Sequence, residues 1–172
     1  MKLIKLTQNQ FCLVDNKDYV YLKNYNWQAS KHHLKNTVIW YASRFITIGK
    51  KRKCILMHRQ ILNINNSKIK TDHKNSNGLD NRRKNLRIAT QSQNSQNRRK
   101  RINCTSKFKG VYWRPMYKKW RAQIKLNGKL IFLGDFIDER NAAKAYNNAA
   151  IKYFGEFASI NKINLDEQDS VV

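Results

Sequence analysis

DHKNSNGLDNRRKNLRIATQSQN, residues 72–94, is the stretch whose reading decides the fold. It opens with an acid beside a histidine, Asp72-His73. A turn-rich run over residues 74–80 follows, with Gly78 able to take φ > 0. Asn85-Leu86-Arg87-Ile88 then reads as a short apolar and basic strand. It stops at Thr90, which with Gln93 has the T-x-x-Q spacing of a capping box, so a polar helix starts there and carries Asn94. The order strand, loop, strand, helix brings an imidazole, a carboxylate and the amides of Asn85 and Asn94 to one place.

Charge surrounds this stretch. The 172 residues carry 35 Lys+Arg against 11 Asp+Glu, a net charge of +24, which favours a polyanionic partner. Between Tyr19 and Gly134 there are 28 Lys+Arg and two acids, Asp72 and Asp80. A carboxylate facing phosphates repels them. An acid kept on such a face therefore points to a task that needs one, and holding a divalent cation between protein and phosphate is the plainest. An isolated Asp reads as a turn residue or an ion-pair partner; beside His73, Asp72 reads as a ligand. Arg82, Arg83, Lys84, Arg87, Arg98, Arg99, Lys100 and Arg101 frame the pair, with no acid among residues 81–101.

Cys12, Cys54 and Cys104 are far apart with no C-x-x-C pair, so neither a structural zinc site nor a disulfide framework is expected. Reduced thiols, and no signal-peptide core in MKLIKLTQNQF, predict an intracellular protein that is not secreted. No apolar run approaches transmembrane length, and the basic residues alternate with aromatics in short strands, so no membrane partner is expected.

Residues 2–6 and 11–14 read as two strands, and Asp15 or Asn16 caps a helix through Tyr25. Residues 37–48 are β-branched and aromatic, Gly49-Lys50 makes a hairpin turn, and residues 53–57 run back. Trp27, Trp40 and Tyr41 are expected in the core. Arg44 and Lys50, Lys51, Arg52 and Lys53 cluster at the turn end, in reach of phosphates, while His32-His33 reads as a solvated loop pair. Met57 begins a short helix that buries Ile61 and Leu62. After a linker at residues 102–106, residues 108–114, 120–126 and 129–136 read as three antiparallel strands, with Asn127-Gly128 a two-residue hairpin signal. Asp138 caps a helix from Glu139 to Phe154 that Gly155 ends. Strand parity turns Val111, Trp113, Ala122, Ile124, Ile131 and Leu133 toward this helix, and Tyr112, Arg114, Arg121, Gln123, Lys125 and Phe132 away. No acid precedes Asp135 on these strands. The outward face is thus basic, amide and aromatic, which suits a sheet lying in a DNA groove.

At Asp72-His73…Asn85…Asn94 the chain resembles an HNH homing endonuclease of the ββα-metal type. The likeness includes Leu79-Asp80-Asn81…Asn85-Leu86-Arg87 and the upstream Met57-His58-Arg59, and covers roughly residues 56–100. Asn94 stands where many relatives have His, and an amide oxygen still binds Mg²⁺. Residues 106–162 resemble an AP2 DNA-binding domain through Lys109-Gly110-Val111-Tyr112, Trp120-Arg121-Ala122-Gln123-Ile124, Leu133-Gly134-Asp135-Phe136, Ala142-Ala143 and Phe154-Gly155. Compared with plant AP2 transcription factors, Tyr112 replaces a base-contacting arginine and Phe132 a tryptophan, so that family's target sequence does not carry over.

The residue patterns and the resemblance together predict an α+β chain: a small antiparallel β region at 1–55 and a disordered acidic tail at 163–172 from the residues, and from the resemblance the HNH ββα-metal motif at 56–101 and an AP2-like three-stranded sheet packed on one helix at 106–162. The resemblance implies phosphodiester hydrolysis, with His73 as general base, Asp72 and Asn94 as oxygen ligands to one Mg²⁺ or Mn²⁺, and Asn85 accepting a hydrogen bond from the other ring nitrogen of His73. His58 would contact a phosphate or the leaving side, or serve as a helix-end structural residue. Arg82, Arg83, Arg87, Arg98, Arg99, Lys109, Tyr112, Arg114, Arg121, Gln123 and Lys125 would contact double-stranded DNA. One metal cuts one strand, so a monomer or weak dimer is expected. Two other readings fit parts of the pattern. One is a non-catalytic AP2-type transcription regulator. The other is a basic RNA-binding protein, which charge and aromatics alone would permit.

Overall fold

Alternating apolar residues fold the N-terminus into an antiparallel pair, β1 (Lys2–Lys5) and β2 (Phe11–Val14), which buries Ile4, Cys12 and Val14. The structure is a computed structural model that describes residues 1–34, 37–98, 100 and 104–163. It divides into two units, Met1–Ser95 and Gln96–Val172. The class is α+β, built from small antiparallel sheets and four α-helices among the described residues.

In the first unit, α1 (Asn16–Leu22) is shorter than expected. Its C-terminal carbonyl at Leu22 accepts a hydrogen bond from Trp27 Nε1 at 2.9 Å, which fixes the exit of the chain. Asp15 occupies the N-cap position without a side-chain capping bond; its carboxylate accepts the backbone N–H of Arg83 instead. Strands β3 (Gln28–Leu34), β4 (Thr37–Ile48) and β5 (Lys51–Leu56) form a sheet in that order. β3 pairs with β4 only up to Ser43, and β5 pairs with β4 from Ser43 onward. The distal half of the β4–β5 hairpin is thus a two-stranded ribbon. His32 and His33 lie in β3, not in a loop, and the ring of His32 meets that of Tyr41 edge-on.

Helix α2 (Met57–Ile61) follows, with Met57 and Ile61 buried and Leu62 only partly so. Strands β6 (Lys70–His73) and β7 (Leu86–Ala89) pair antiparallel, setting Asp72 opposite Arg87 and His73 opposite Leu86. Helix α3 (Gln91–Gln96) starts at the expected capping box: Thr90 N–H donates to Gln93 Oε1 at 2.7 Å and Gln93 N–H to Thr90 Oγ1 at 3.2 Å. The loop between β6 and β7 is stitched to β2. Leu13 N–H donates to Leu79 O and Asn81 N–H to Leu13 O, at 2.9 and 2.8 Å. One apolar cluster therefore joins Ile4, Cys12, Val14, Leu22 and Trp27 to Met57, Ile61 and Leu86, drawing on both sides of position 55.

In the second unit, β8 (Val111–Arg114), β9 (Lys119–Leu126) and β10 (Lys129–Phe136) form a sheet of order β10-β9-β8 against α4 (Glu139–Phe154). Asn127 and Gly128 take φ of 48° and 84°, the left-handed pair a tight hairpin needs. Asp138 Oδ2 accepts Asn141 N–H at 2.8 Å and starts α4. Ala142, Ala143 and Ala150, all fully buried, let the helix sit close on Val111, Ala122 and Ile124. A β-bulge interrupts the β9–β10 ladder between Phe132 and Gly134. Residues 102 and 103 of the expected linker and most of the expected acidic tail, residues 164–172, lie outside the described residues. Ser106, also expected in the linker, is buried and donates to Glu139 Oε1 at 2.6 Å.

Gly78 is required for a reason other than the expected one. The left-handed residue of its loop is Ser76, at φ 56°. A Cβ on Gly78 would run into the carbonyl of Trp40 and the ring of Tyr41. The carbonyl is strand backbone and cannot swing away. Gly78→Ala is expected to destabilise the first unit by about 1–3 kcal/mol, as overpacking does; urea denaturation followed by tryptophan fluorescence measures it.

Candidate active site

His73 ends β6 and is 6 % exposed. Its Nε2 lies 3.0 Å from Asn81 Oδ1. Asn81 is fully buried, and its amide nitrogen faces Cys12 Sγ at 2.8 Å and Met57 Sδ at 3.8 Å. Sulfur here is the acceptor, so the Asn81 oxygen must accept, and His73 carries its proton on Nε2 with the lone pair on Nδ1. Burial pushes the Cys12 thiol up to about 12, which keeps it neutral. Burial also lowers the His73 imidazole below its ordinary value, while the Asn81 hydrogen bond and the charges of Asp72 and Asp80 pull the other way.

Asn85 does not make the bond to His73 expected of it. It lies at the end of a 3-10 turn, Arg83–Asn85, and its side chain closes the loop instead. Nδ2 donates to Asp80 O at 2.7 Å and Asn75 Oδ1 at 3.0 Å, while Oδ1 accepts Asn75 N–H at 3.0 Å. The register explains the difference: the neighbour of Asn85, Leu86, is the residue opposite His73, and Asn81 comes to the ring through its tie to β2. No local sequence pattern marks Asn81 for this task, because its partner Cys12 is 69 residues away.

Asp72 is held by Arg87 across the β6–β7 ladder. Its Oδ2 accepts from Nε at 2.9 Å and Nη2 at 2.6 Å, with the side chains 11 % and 8 % exposed. Asn94, on α3, donates from Nδ2 to Thr71 O at 3.2 Å, which fastens the helix to the residue next to Asp72. A carboxylate and an amide oxygen suit a hard divalent cation. Among the described residues no three His, Cys, Asp or Glu side chains cluster around a metal position. The protein thus offers part of a coordination shell, and phosphate and water would have to complete it.

His58 is 4 % exposed on α2, with its ring 5.0 Å from that of His73 and nearly perpendicular to it. Tyr41 contacts both imidazoles, at 5.6 and 5.8 Å. Among the described residues the buried Nδ1 of His58 has no hydrogen-bond partner. Burial, then the charges of His73 and Arg59, bring His58 down to about 3. Arg59 donates to Ile69 O and Asn66 O at 2.7 and 2.6 Å, tying the approach to β6.

Several cations expected on DNA are engaged inside the protein. Arg82 pairs with Asp80, Arg83 with the buried Asp18, Arg87 with Asp72, and Arg121 with Asp135. Lys109 Nζ is also taken up: it donates to the carbonyls of Gln96 and Arg98 at 2.6 and 2.7 Å, and burial brings it down to about 8. Strict alternation would leave Arg121 on an acid-free face. The bulge adds one residue at Leu133, so parity reverses and Asp135 arrives opposite Arg121. Phe132 and Lys125 are exposed as expected; Tyr112 donates from its hydroxyl to Gln123 Oε1 at 3.3 Å, and Arg114 stacks over Tyr117. Arg98 is exposed, and Arg99 and Arg101 lie outside the described residues. By contrast, Lys50, Lys51, Arg52 and Lys53 on the two-stranded ribbon are exposed and in no ion pair among the described residues, with Arg52 stacked 4.0 Å over Phe45.

The chain is 38 % identical over 98 residues to an uncharacterized HNH endonuclease of Acanthamoeba polyphaga mimivirus; the match covers 57 % of this chain and 50 % of that protein. It is 42 % identical over 57 residues to an AP2/ERF and B3 domain-containing protein of Oryza sativa subsp. japonica, covering 33 % of this chain and 15 % of the rice protein. The chain thus spans at most half the length of these curated relatives. No family model matches it, and no solved structure does. Among the described residues no helix is long and apolar enough to cross a membrane. These likenesses support an HNH nuclease and, more weakly, an AP2-like region.

Proposed function

We propose that the chain is an intracellular, divalent-metal-dependent DNA endonuclease of the HNH type, homing in its choice of target, that nicks one strand of duplex DNA as a monomer or weak dimer. The observation that supports this best is the neutral imidazole of His73, fixed in one tautomer by Asn81 directly beside Asp72 on one strand. Residues 56–101 would cut. The sheet of residues 106–162 would read the target through Tyr112, Arg114, Gln123 and Lys125, with the exposed Arg98 adding a backbone contact.

In this reading His73 Nδ1 takes the proton of the attacking water, and Asn81 stabilises the imidazolium that forms. Asp72 and Asn94 would hold one Mg²⁺ or Mn²⁺. When bound, that ion supplies charge neutralisation at the phosphate and at the leaving 3′-oxygen. Asn85 holds the loop that carries Asn81. His58 acts through His73: it forms the wall against which the base stands, so it is a positioning residue. The charge on the β4–β5 ribbon would add backbone contacts. A non-catalytic AP2-type regulator is the second reading, and the Arg87 ion pair on Asp72 is the observation that favours it.

With Mg²⁺ present, the chain is expected to nick duplex DNA carrying its target, found by cleavage of a genomic library. His73→Ala should lower the nicking rate by about 10²–10⁴-fold, the usual scale for removing a general base, while gel-shift affinity is kept. Unchanged nicking would remove His73 as the base. Replacing Lys50, Lys51, Arg52 and Lys53 with Gln should flatten the salt dependence of binding, by about 0.9 in logarithmic slope for each phosphate that is no longer neutralised. An unchanged slope places the ribbon off the DNA.

Stability should depend on pH through His58. Its folded value, about 3, lies below its ordinary 6.5, so between those limits the unfolded chain binds a proton that the folded chain does not. Stability from this source is therefore fully present above pH 6.5 and falls as pH falls. Between pH 6.5 and 5, above the carboxylate range, His58→Phe should reduce the pH slope of the urea midpoint. A slope equal to that of the unsubstituted protein would show that position 58 does not titrate on unfolding.

A further inference from the structure

Nothing in metal-assisted hydrolysis requires a buried arginine on the carboxylate that is to hold the ion. Arg87 nonetheless donates twice to Asp72 Oδ2. The β6–β7 register fixes the two residues opposite each other, and both side chains are nearly buried, so the pair is built into the fold. The neighbouring acid, Asp80, is itself engaged by Arg82 and Asn75. Lys70 and Lys74 flank Asp72 in sequence. Before DNA arrives, the positions around Asp72 therefore offer a dication no net negative charge.

Resting on the reading of Asp72 as a metal ligand, we propose that Arg87 is the resident counter-cation of Asp72, and that it makes divalent-metal binding conditional on a DNA phosphate. Without nucleic acid, the guanidinium supplies Asp72 with its positive partner and repels an incoming dication. At contact distances, even with water-like screening, that repulsion is on the order of a ten- to hundredfold loss of metal affinity. A phosphodiester brings the missing negative charge and a second oxygen ligand. Metal affinity then rises, and by linkage the metal tightens DNA binding by the same factor. Arg87 is a positioning residue in this scheme, acting on the reaction through Asp72.

The test measures Mn²⁺ binding by electron paramagnetic resonance, on protein carrying His73→Ala so that nothing is cut. Affinity is read with and without a short mixed-sequence duplex at low salt. Asp72→Asn protein with the same duplex gives the Mn²⁺ held by DNA alone. Duplex should tighten Mn²⁺ binding about tenfold or more. Arg87→Gln should tighten Mn²⁺ binding without DNA by a similar factor and shrink the effect of DNA. Arg87→Lys, which keeps the charge, should behave as the parent does. Equal affinity with and without duplex in the parent overturns the proposal without any change at Arg87, so a poorly folding variant cannot shield it. Arg87→Gln protein that is folded by circular dichroism and binds Mn²⁺ no more tightly also overturns it. If Asp72→Asn leaves Mn²⁺ binding unchanged, the site reading itself fails, whatever Arg87 does.

Discussion

The buried hydrogen bond between Asn81 and His73 is the constraint to which the first unit is shaped. Asn81 is held on three sides: its backbone N–H by Leu13 O, its amide nitrogen by the sulfurs of Cys12 and Met57, its oxygen by the imidazole. An amide with no access to water costs about 1–3 kcal/mol for each hydrogen bond it fails to make. That penalty makes the arrangement nearly all-or-none. It also gives the N-terminal hairpin a role that its sequence does not announce. β2 supplies both the carbonyl and the thiol that orient Asn81, so a strand far from Asp72-His73 in sequence is among those that prepare it.

The positive charge sorts into two kinds. Arginines close to the motif face acids within the fold: Arg82 on Asp80, Arg83 on Asp18, Arg87 on Asp72. Removing one partner of a nearly buried pair such as Asp72–Arg87 typically costs about 3–5 kcal/mol, because the other charge is stranded. These arginines are part of the scaffold. The cations on the distal β4–β5 ribbon and on the outward face at Arg114 and Lys125 have no such partners among the described residues. Net charge identifies the class of partner; burial and pairing decide which residues remain to meet it.

What was legible in the sequence was local. The Thr90–Gln93 capping box, the Asn127-Gly128 turn, the Asp138 cap and the alternation along β9 each depend on residues a few positions apart, and each is found as read. What was not legible depended on partners far away in sequence. Asn81 and Asn85 are chemically equivalent until β2 is placed, and then only Asn81 meets the ring. Gly78 reads as a turn glycine until Tyr41 packs against it. Arg87 reads as a DNA contact until the β6–β7 register sets it on Asp72. In each case residue type and local pattern were informative, and the deciding term was a tertiary contact.

The bulge at Leu133 has a consequence for how this sheet could change over time. Substituting Arg121 alters one side chain. Deleting the extra residue, Leu133, would restore strict alternation and still leave Asp135 opposite Arg121, because the ladder beyond the bulge already runs in that register. The ion pair thus withstands a one-codon loss at this point, and an open cation on the outward face comes instead from replacing Asp135, with every existing basic residue left in place. Replacement at Asp135, more than length variation at this strand, is the short evolutionary route to retuned affinity.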